Sequence, residues 1–129
     1  MSRLLLDTCT YLWLLSDPEP IPLEVREEIL NPENDVFLSR ISLWEIIIKS
    51  GTNRFKSPKN DLDYLFEQRK RHGIKLLTMD EESLLHLSRL PNIHKDPFDR
   101  MLICQALQHG LTILTPDEQI TRYPVKFFW

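Results

Sequence analysis

HKDPFDRMLICQALQHGLTILTPD, residues 94–117, holds a helix, its start and stop signals and the strand that follows it in one run. Asp96 offers an N-cap oxygen, Pro97 suits the first turn, and Gly110 suits the left-handed position that closes a helix. The spacing predicts a helix over residues 97–109. Leu111 to Leu114 then reads as a short apolar strand, and Pro116 to Ile120 as a helical turn. A long helix feeding directly into a short apolar strand is half of a parallel-sheet unit.

The same alternation extends to both ends of the chain. Arg3 to Leu6 is a buried-strand pattern that stops at Asp7-Thr8, a helix N-cap signal, and Tyr11 to Leu15 continues as an apolar helix. A second helix is expected over Pro22 to Leu30 and a strand over Val36 to Leu38. Ser42 to Ile48 reads as an apolar helix closed by Gly51. Thr52 to Lys59 is loop-like and basic, and Leu62, Leu65 and Phe66 mark a helix running to about Arg71, with Gly73 as its stop. Ile74 to Leu77 is a strand, Asp80 to Leu90 an amphipathic helix with Leu84, Leu85, Leu87 and Leu90 at helical spacing, and Val125 to Phe128 a last strand. Residues 1–129 are therefore expected to form one α/β domain with a short, mainly parallel central sheet.

Composition narrows the class. Hydrophobic residues make up 42% and charged residues 27%, as in a folded globular protein. Cys9 and Cys104 are too few for a disulfide framework and have no metal-ligand spacing, so small core roles and a reducing, cytoplasmic setting are expected. No apolar run reaches the roughly 20 residues of a membrane span, and MSRLLLD enters a strand pattern without room for a signal peptide. A net charge of −3 argues against a broad electrostatic grip on nucleic acid, yet acids in a site can mask a basic rim. Lys49, Arg54, Lys56 and Lys59, and again Arg69, Lys70 and Arg71, fit either such a rim or solvated faces.

Four acids sit where strand-like and helix-like segments meet: Asp7, Glu45, Asp99 and Asp117. Asp7 and Asp117 can each be helix caps, and Asp99 can complement a helix dipole. Glu45 is different, because it lies between Leu43-Trp44 and Ile46-Ile47-Ile48, where an unpaired carboxylate is costly to bury. Brought together, carboxylates repel by about 4 kcal/mol per pair at 4 Å with an effective dielectric near 20. Such a cluster calls for a hard divalent cation. Asp96 is an accessory candidate, whereas Asp80, Glu81 and Glu82 read as a solvated helix start. His94 fits a contact to phosphate or substrate but reads more readily as a surface histidine, and Arg100 as either a phosphate contact or an ion-pair partner of a nearby acid. Trp13, Trp44 and Trp129 read as packing residues, with Trp129 also suited to an interface.

Other α/β classes fit less well. A non-catalytic binding or signalling module with a receiver-like fold wants adjacent acids after the first strand and a late strand-end lysine, but Thr8-Cys9 follows Asp7 and no lysine follows Leu111 to Leu114. A haloacid-dehalogenase-type phosphatase wants D-x-D near the start, and Cys9 occupies the second acid position.

In order along the chain, LLDT with its apolar WLL run, SLWEI with the following IK, HKDPFDRMLICQA and LTILTPD resemble a PIN domain of the VapC type, the toxin half of a toxin–antitoxin pair. The resemblance spans nearly all 129 residues. It implies a compact three-layer α/β/α nuclease fold and endoribonuclease activity dependent on Mg²⁺ or Mn²⁺. It carries the acid positions onto Asp7, Glu45, Asp99 and Asp117, as metal ligands and catalytic groups. Thr8 and Thr115 match small hydroxyl positions that orient acids or bound waters. It further implies an RNA substrate, an antitoxin partner and a homodimer. The sequence departs from its relatives at Cys9, where histidine, serine or asparagine is commoner.

Overall fold

The computed structural model describes residues 1–51 and 62–129. The basic stretch expected as a loop, Thr52 to Lys59, lies outside the described residues. The elements run β1 (Arg3–Leu6), α1 (Thr8–Leu15), α2 (Leu23–Leu30), β2 (Asp35–Ser39), α3 (Arg40–Gly51), α4 (Leu62–Arg71), β3 (Lys75–Leu77), α5 (Glu81–Leu87), α6 (Pro97–His109), β4 (Thr112–Leu114), α7 (Glu118–Thr121) and β5 (Phe127–Phe128). All the strand pairs are parallel, in the order β3-β2-β1-β4-β5. Receiver-like sheets follow the order 2-1-3-4-5, so the strand order separates this fold from the signalling alternative.

Three layers follow from the two-residue alternation of strand side chains. Leu4, Leu6, Leu38 and Leu114 point into one core with Tyr11, Val25, Ile46 and Leu65. Leu5, Leu77 and Ile113 point into the other with Leu102, Ile103, Ala106 and Ile120. Helices thus cover both faces of the sheet, and its strands are apolar on both sides, as buried parallel strands are.

Helix α6 has the punctuation its sequence predicts: Asp96 caps it, Pro97 opens it, and Gly110 closes it at φ 66°. Other readings need correction. The helix expected over Asp80 to Leu90 is only Glu81–Leu87. Its stripe faces outward: Ser83 and Leu90 are buried, while Leu84, Leu85 and Leu87 are exposed. The turn expected from Pro116 begins at Glu118, because Asp117 caps it from outside. Cys104 is a core residue as expected, but Cys9 is exposed, since α1 turns Thr8, Thr10, Tyr11 and Leu12 inward. Trp13 and Trp129 pack together with ring centroids 5.9 Å apart, whereas Trp44 is 56% exposed and is not a core residue.

Candidate active site

Parallel sheets place their sites beyond the carboxyl ends of the strands, where the strand order reverses. Here the chain builds β2 and β3 on one side of β1 and then crosses to place β4 on the other. Asp7 follows β1 directly, and Asp117 lies just beyond β4. Asp7 caps α1 by accepting from the Thr10 N–H at 2.7 Å, and its other oxygen accepts from the Thr115 hydroxyl at 2.5 Å. The same Thr115 oxygen accepts from the Asp117 N–H at 3.0 Å. One buried threonine therefore ties together the acids at the two strand ends. Asp117 in turn caps α7 through the Gln119 N–H at 2.8 Å.

Glu45 comes from α3, whose inward face is Ser42, Glu45, Ile46 and Lys49 at helical spacing. The Thr8 hydroxyl donates to Glu45 Oε1 at 2.6 Å, and the Thr8 and Ser42 hydroxyls are 2.9 Å apart. The Lys49 ammonium bonds the second Glu45 oxygen. Glu45 is only 4% exposed, so the partner anticipated for an acid in an apolar run exists, and it is a lysine together with a threonine. Asp99 sits in the first turn of α6, held there by Asp96, which accepts from the N–H groups of Phe98 at 2.9 Å and Asp99 at 3.0 Å.

The electrostatics register the convergence. Burial raises the Asp7 pKa; hydrogen bonds from Thr10 and Thr115 oppose the rise, and the Asp117 charge adds to it. Burial pushes Asp99 up to about 6, against the His94 hydrogen bond and with help from Asp96, Asp117 and Glu45. Although Cys9 is exposed, protein packed around its thiol, and then the charges of Asp7 and Glu45, raise it to about 11, so it is a poor nucleophile. Burial would lower Lys49, but the Glu45 bond and the charges of Glu45, Asp96 and Asp99 raise it overall.

The arrangement is an all-oxygen set of carboxylates with more negative charge than Lys49 alone offsets. Among the described residues, no three His, Cys, Asp or Glu side chains already close on one point as a metal cage. Hard oxygen donors with excess negative charge nonetheless fit Mg²⁺ or Mn²⁺, which retain much of their water and need few protein ligands. The residues able to hold such an ion are Asp7, Asp99, Glu45 and Asp117.

Several side chains lie elsewhere than expected. Arg100 Nη1 donates to the Pro91 carbonyl at 2.8 Å and to the Tyr123 hydroxyl at 2.9 Å. His94 is largely but not fully buried. Its side chain is 13% exposed, and its Nε2 lies 3.1 Å from Asp99 Oδ2. Only its place in HKDPFD, beside the capping acid, hinted at this. Asp80 stays apart from the cluster, capping α5 through the Ser83 N–H at 2.7 Å and meeting His109 at 2.6 Å.

A family model of the PIN domain matches residues 4–126. No curated protein matches. Among solved structures, the chain is similar to VapBC2 from Rickettsia felis bound to a DNA fragment from its promoter, at 14% identity and a TM-score of 0.75, with 98% of each chain covered. It is also similar to DNA-bound VapBC from Salmonella typhimurium, at 20% identity and a TM-score of 0.72, covering 99% of this chain and 98% of that one. FitAcB from Neisseria gonorrhoeae shares 23% identity at a TM-score of 0.67, over 98% of this chain and 96% of that one. At these identities the likeness is one of fold.

Proposed function

The chain belongs to the PIN domain family, and from that premise we propose that it is a divalent-metal-dependent endoribonuclease acting as the toxin of a toxin–antitoxin pair. The reading is supported by Asp7 and Asp117, which lie beyond the ends of β1 and β4 where the strand order reverses and share Thr115, and by the charges of Asp117 and Glu45 acting on Asp99. Asp7, Asp99 and either Glu45 or Asp117 would hold Mg²⁺ or Mn²⁺, which would supply Lewis acidity and a water activated toward a phosphodiester. The chain's own groups set the geometry. Thr115 fixes Asp7 and the turn that carries Asp117, and Thr8 fixes Glu45. Lys49 holds the second Glu45 oxygen and offsets part of the acidic charge.

The partner reading has separate support. Several of the similar structures are of VapBC and FitAB, three of them bound to DNA. The apolar side of α3 is turned outward, with Trp44 at 56%, Ile47 at 45% and Ile48 at 41% exposure. Trp44 stacks edge-on against Phe98 at 5.3 Å, so this apolar surface reaches the rim of the acids. Exposed apolar surface of this kind marks protein interfaces, in keeping with an antitoxin segment and a second copy of the chain as partners. Among the described residues no helix is long and apolar enough to cross a membrane.

The deciding experiment is RNA cleavage by purified protein with and without chelator. Cleavage is expected only with Mg²⁺ or Mn²⁺, and Asp7→Asn or Asp99→Asn should abolish it while leaving the fold intact. Cleavage in excess chelator, or full activity in both variants, overturns the reading.

A further inference from the structure

The Tyr123 hydroxyl is buried where three segments meet. Its ring is 3% exposed, just past α7, and edge-on to the His94 ring at 5.4 Å. The oxygen receives Arg100 Nη1 at 2.9 Å and the His94 backbone N–H at 3.1 Å. A phenol oxygen accepts two hydrogen bonds and donates one, so those two donors fill its acceptor capacity. Its own hydrogen then has two destinations, His94 Nδ1 at 2.8 Å and the His94 carbonyl at 3.5 Å, and the shorter one wins. A neutral imidazole that accepts at Nδ1 carries its proton on Nε2. That nitrogen faces Asp99 Oδ2 at 3.1 Å.

We propose that Tyr123 and His94 are positioning residues, which lock the Nε2–H tautomer of His94 so that it holds one oxygen of Asp99 for cation binding. The role toward a cation rests on the metal-dependent reading of the acids; the tautomer lock does not. Arg100 is the anchor of the relay, fixing the phenol from behind while it is itself held by the Pro91 carbonyl at 2.8 Å. Residues 115–123 then control three acids through one short segment. Thr115 holds Asp7, Asp117 caps α7, and Tyr123, bonded to the α7 carbonyl of Ile120 at 3.1 Å, reaches Asp99 through His94. Groups behind the ligands that fix their orientation commonly govern affinity by 10- to 100-fold.

The test uses Tyr123→Phe, which keeps the ring and removes only the hydroxyl, together with His94→Ala and His94→Gln. Long-range proton–nitrogen NMR of the metal-free protein should show His94 protonated on Nε2 alone. Tyr123→Phe should give a mixture of tautomers. Mn²⁺ affinity, measured by calorimetry, should fall about 10-fold in Tyr123→Phe and in His94→Ala. His94→Gln, whose amide can still donate toward Asp99, should recover most of the loss. A His94 protonated on Nδ1 in the wild type overturns the proposal, as does Mn²⁺ affinity unchanged in both Tyr123→Phe and His94→Ala. Absence of Mn²⁺ binding to the wild type likewise overturns the positioning role. If the tautomer and the affinities behave as expected but no RNA is cut, the nuclease reading fails and this one stands.

Discussion

Asp99 shows how one buried carboxylate records its neighbours. Burial first, then Asp96, Asp117 and Glu45, lift its pKa from the ordinary 3.8 to about 6, with the His94 bond pulling the other way. Between those two values the folded chain holds a proton that the unfolded chain has lost. Asp99 therefore favours folding most below about pH 3.8, and that contribution is lost as the pH rises through about 6. At neutral pH the ionised group is a net cost in the absence of a cation. Asp99→Asn should accordingly stabilise the metal-free protein at pH 7.5 by about 1–2 kcal/mol, and the gain should vanish at pH 3.5. Urea melts at the two pH values check this, and destabilisation at pH 7.5 would refute the electrostatic account. Single residues were unequally legible in the sequence. Glu45 announced itself, because a carboxylate among Trp44 and Ile46 to Ile48 must have a partner. His94 did not, because its role depends on Tyr123, 29 positions away, and on a hydrogen that only the folded network assigns.

Elements were legible where punctuation is local. Asp96, Pro97 and Gly110 define α6 by backbone chemistry alone, and the helix spans the residues they bracket. Gly110 gives a clean measure of that chemistry, because a Cβ there would meet nothing within 4 Å, yet φ is +66°. Gly110→Ala should thus cost about 1 kcal/mol through backbone strain alone, seen as a lower urea midpoint with unchanged cleavage rate per folded molecule. A neutral effect would mean that the helix end relaxes into another conformation. The facing of helices was less legible than their bounds. In α3 the apolar residues Trp44, Ile47 and Ile48 look outward, while Ser42, Glu45 and Lys49 look in toward the other acids. In α5 the leucine stripe is outward and Ser83 inward. Apolar periodicity normally marks the buried side, and it misleads here because Ser42 and Glu45 share the inside of α3 with Ile46 and because apolar surface is left open on both helices.

At the scale of the whole molecule, alternating strands and helices foretold a parallel sheet, but no local signal says on which side of β1 the fourth strand lands. That order, β3-β2-β1-β4-β5, is what places the ends of β1 and β4 together. The acids come from positions 7, 45, 99 and 117, so the unfolded chain holds them far apart, and the proposed site depends on the complete fold. A cation bound at the proposed site would be coupled to global stability, since a ligand that binds only the folded state stabilises it by RT ln(1 + [L]/Kd). At about 100 times Kd this is roughly 2.7 kcal/mol, or on the order of 10 °C in the melting midpoint for a domain of this size. Mn²⁺ should raise the midpoint by that amount in the wild type, with the rise reversed by chelator. The shift should grow with the logarithm of concentration and be nearly absent in Asp7→Asn, where the strand-end carboxylate is lost but the α1 cap is kept by the amide oxygen. An equal shift in Asp7→Asn would mean that the ion binds elsewhere, and no shift in the wild type would mean that the four carboxylates do not act together on a cation.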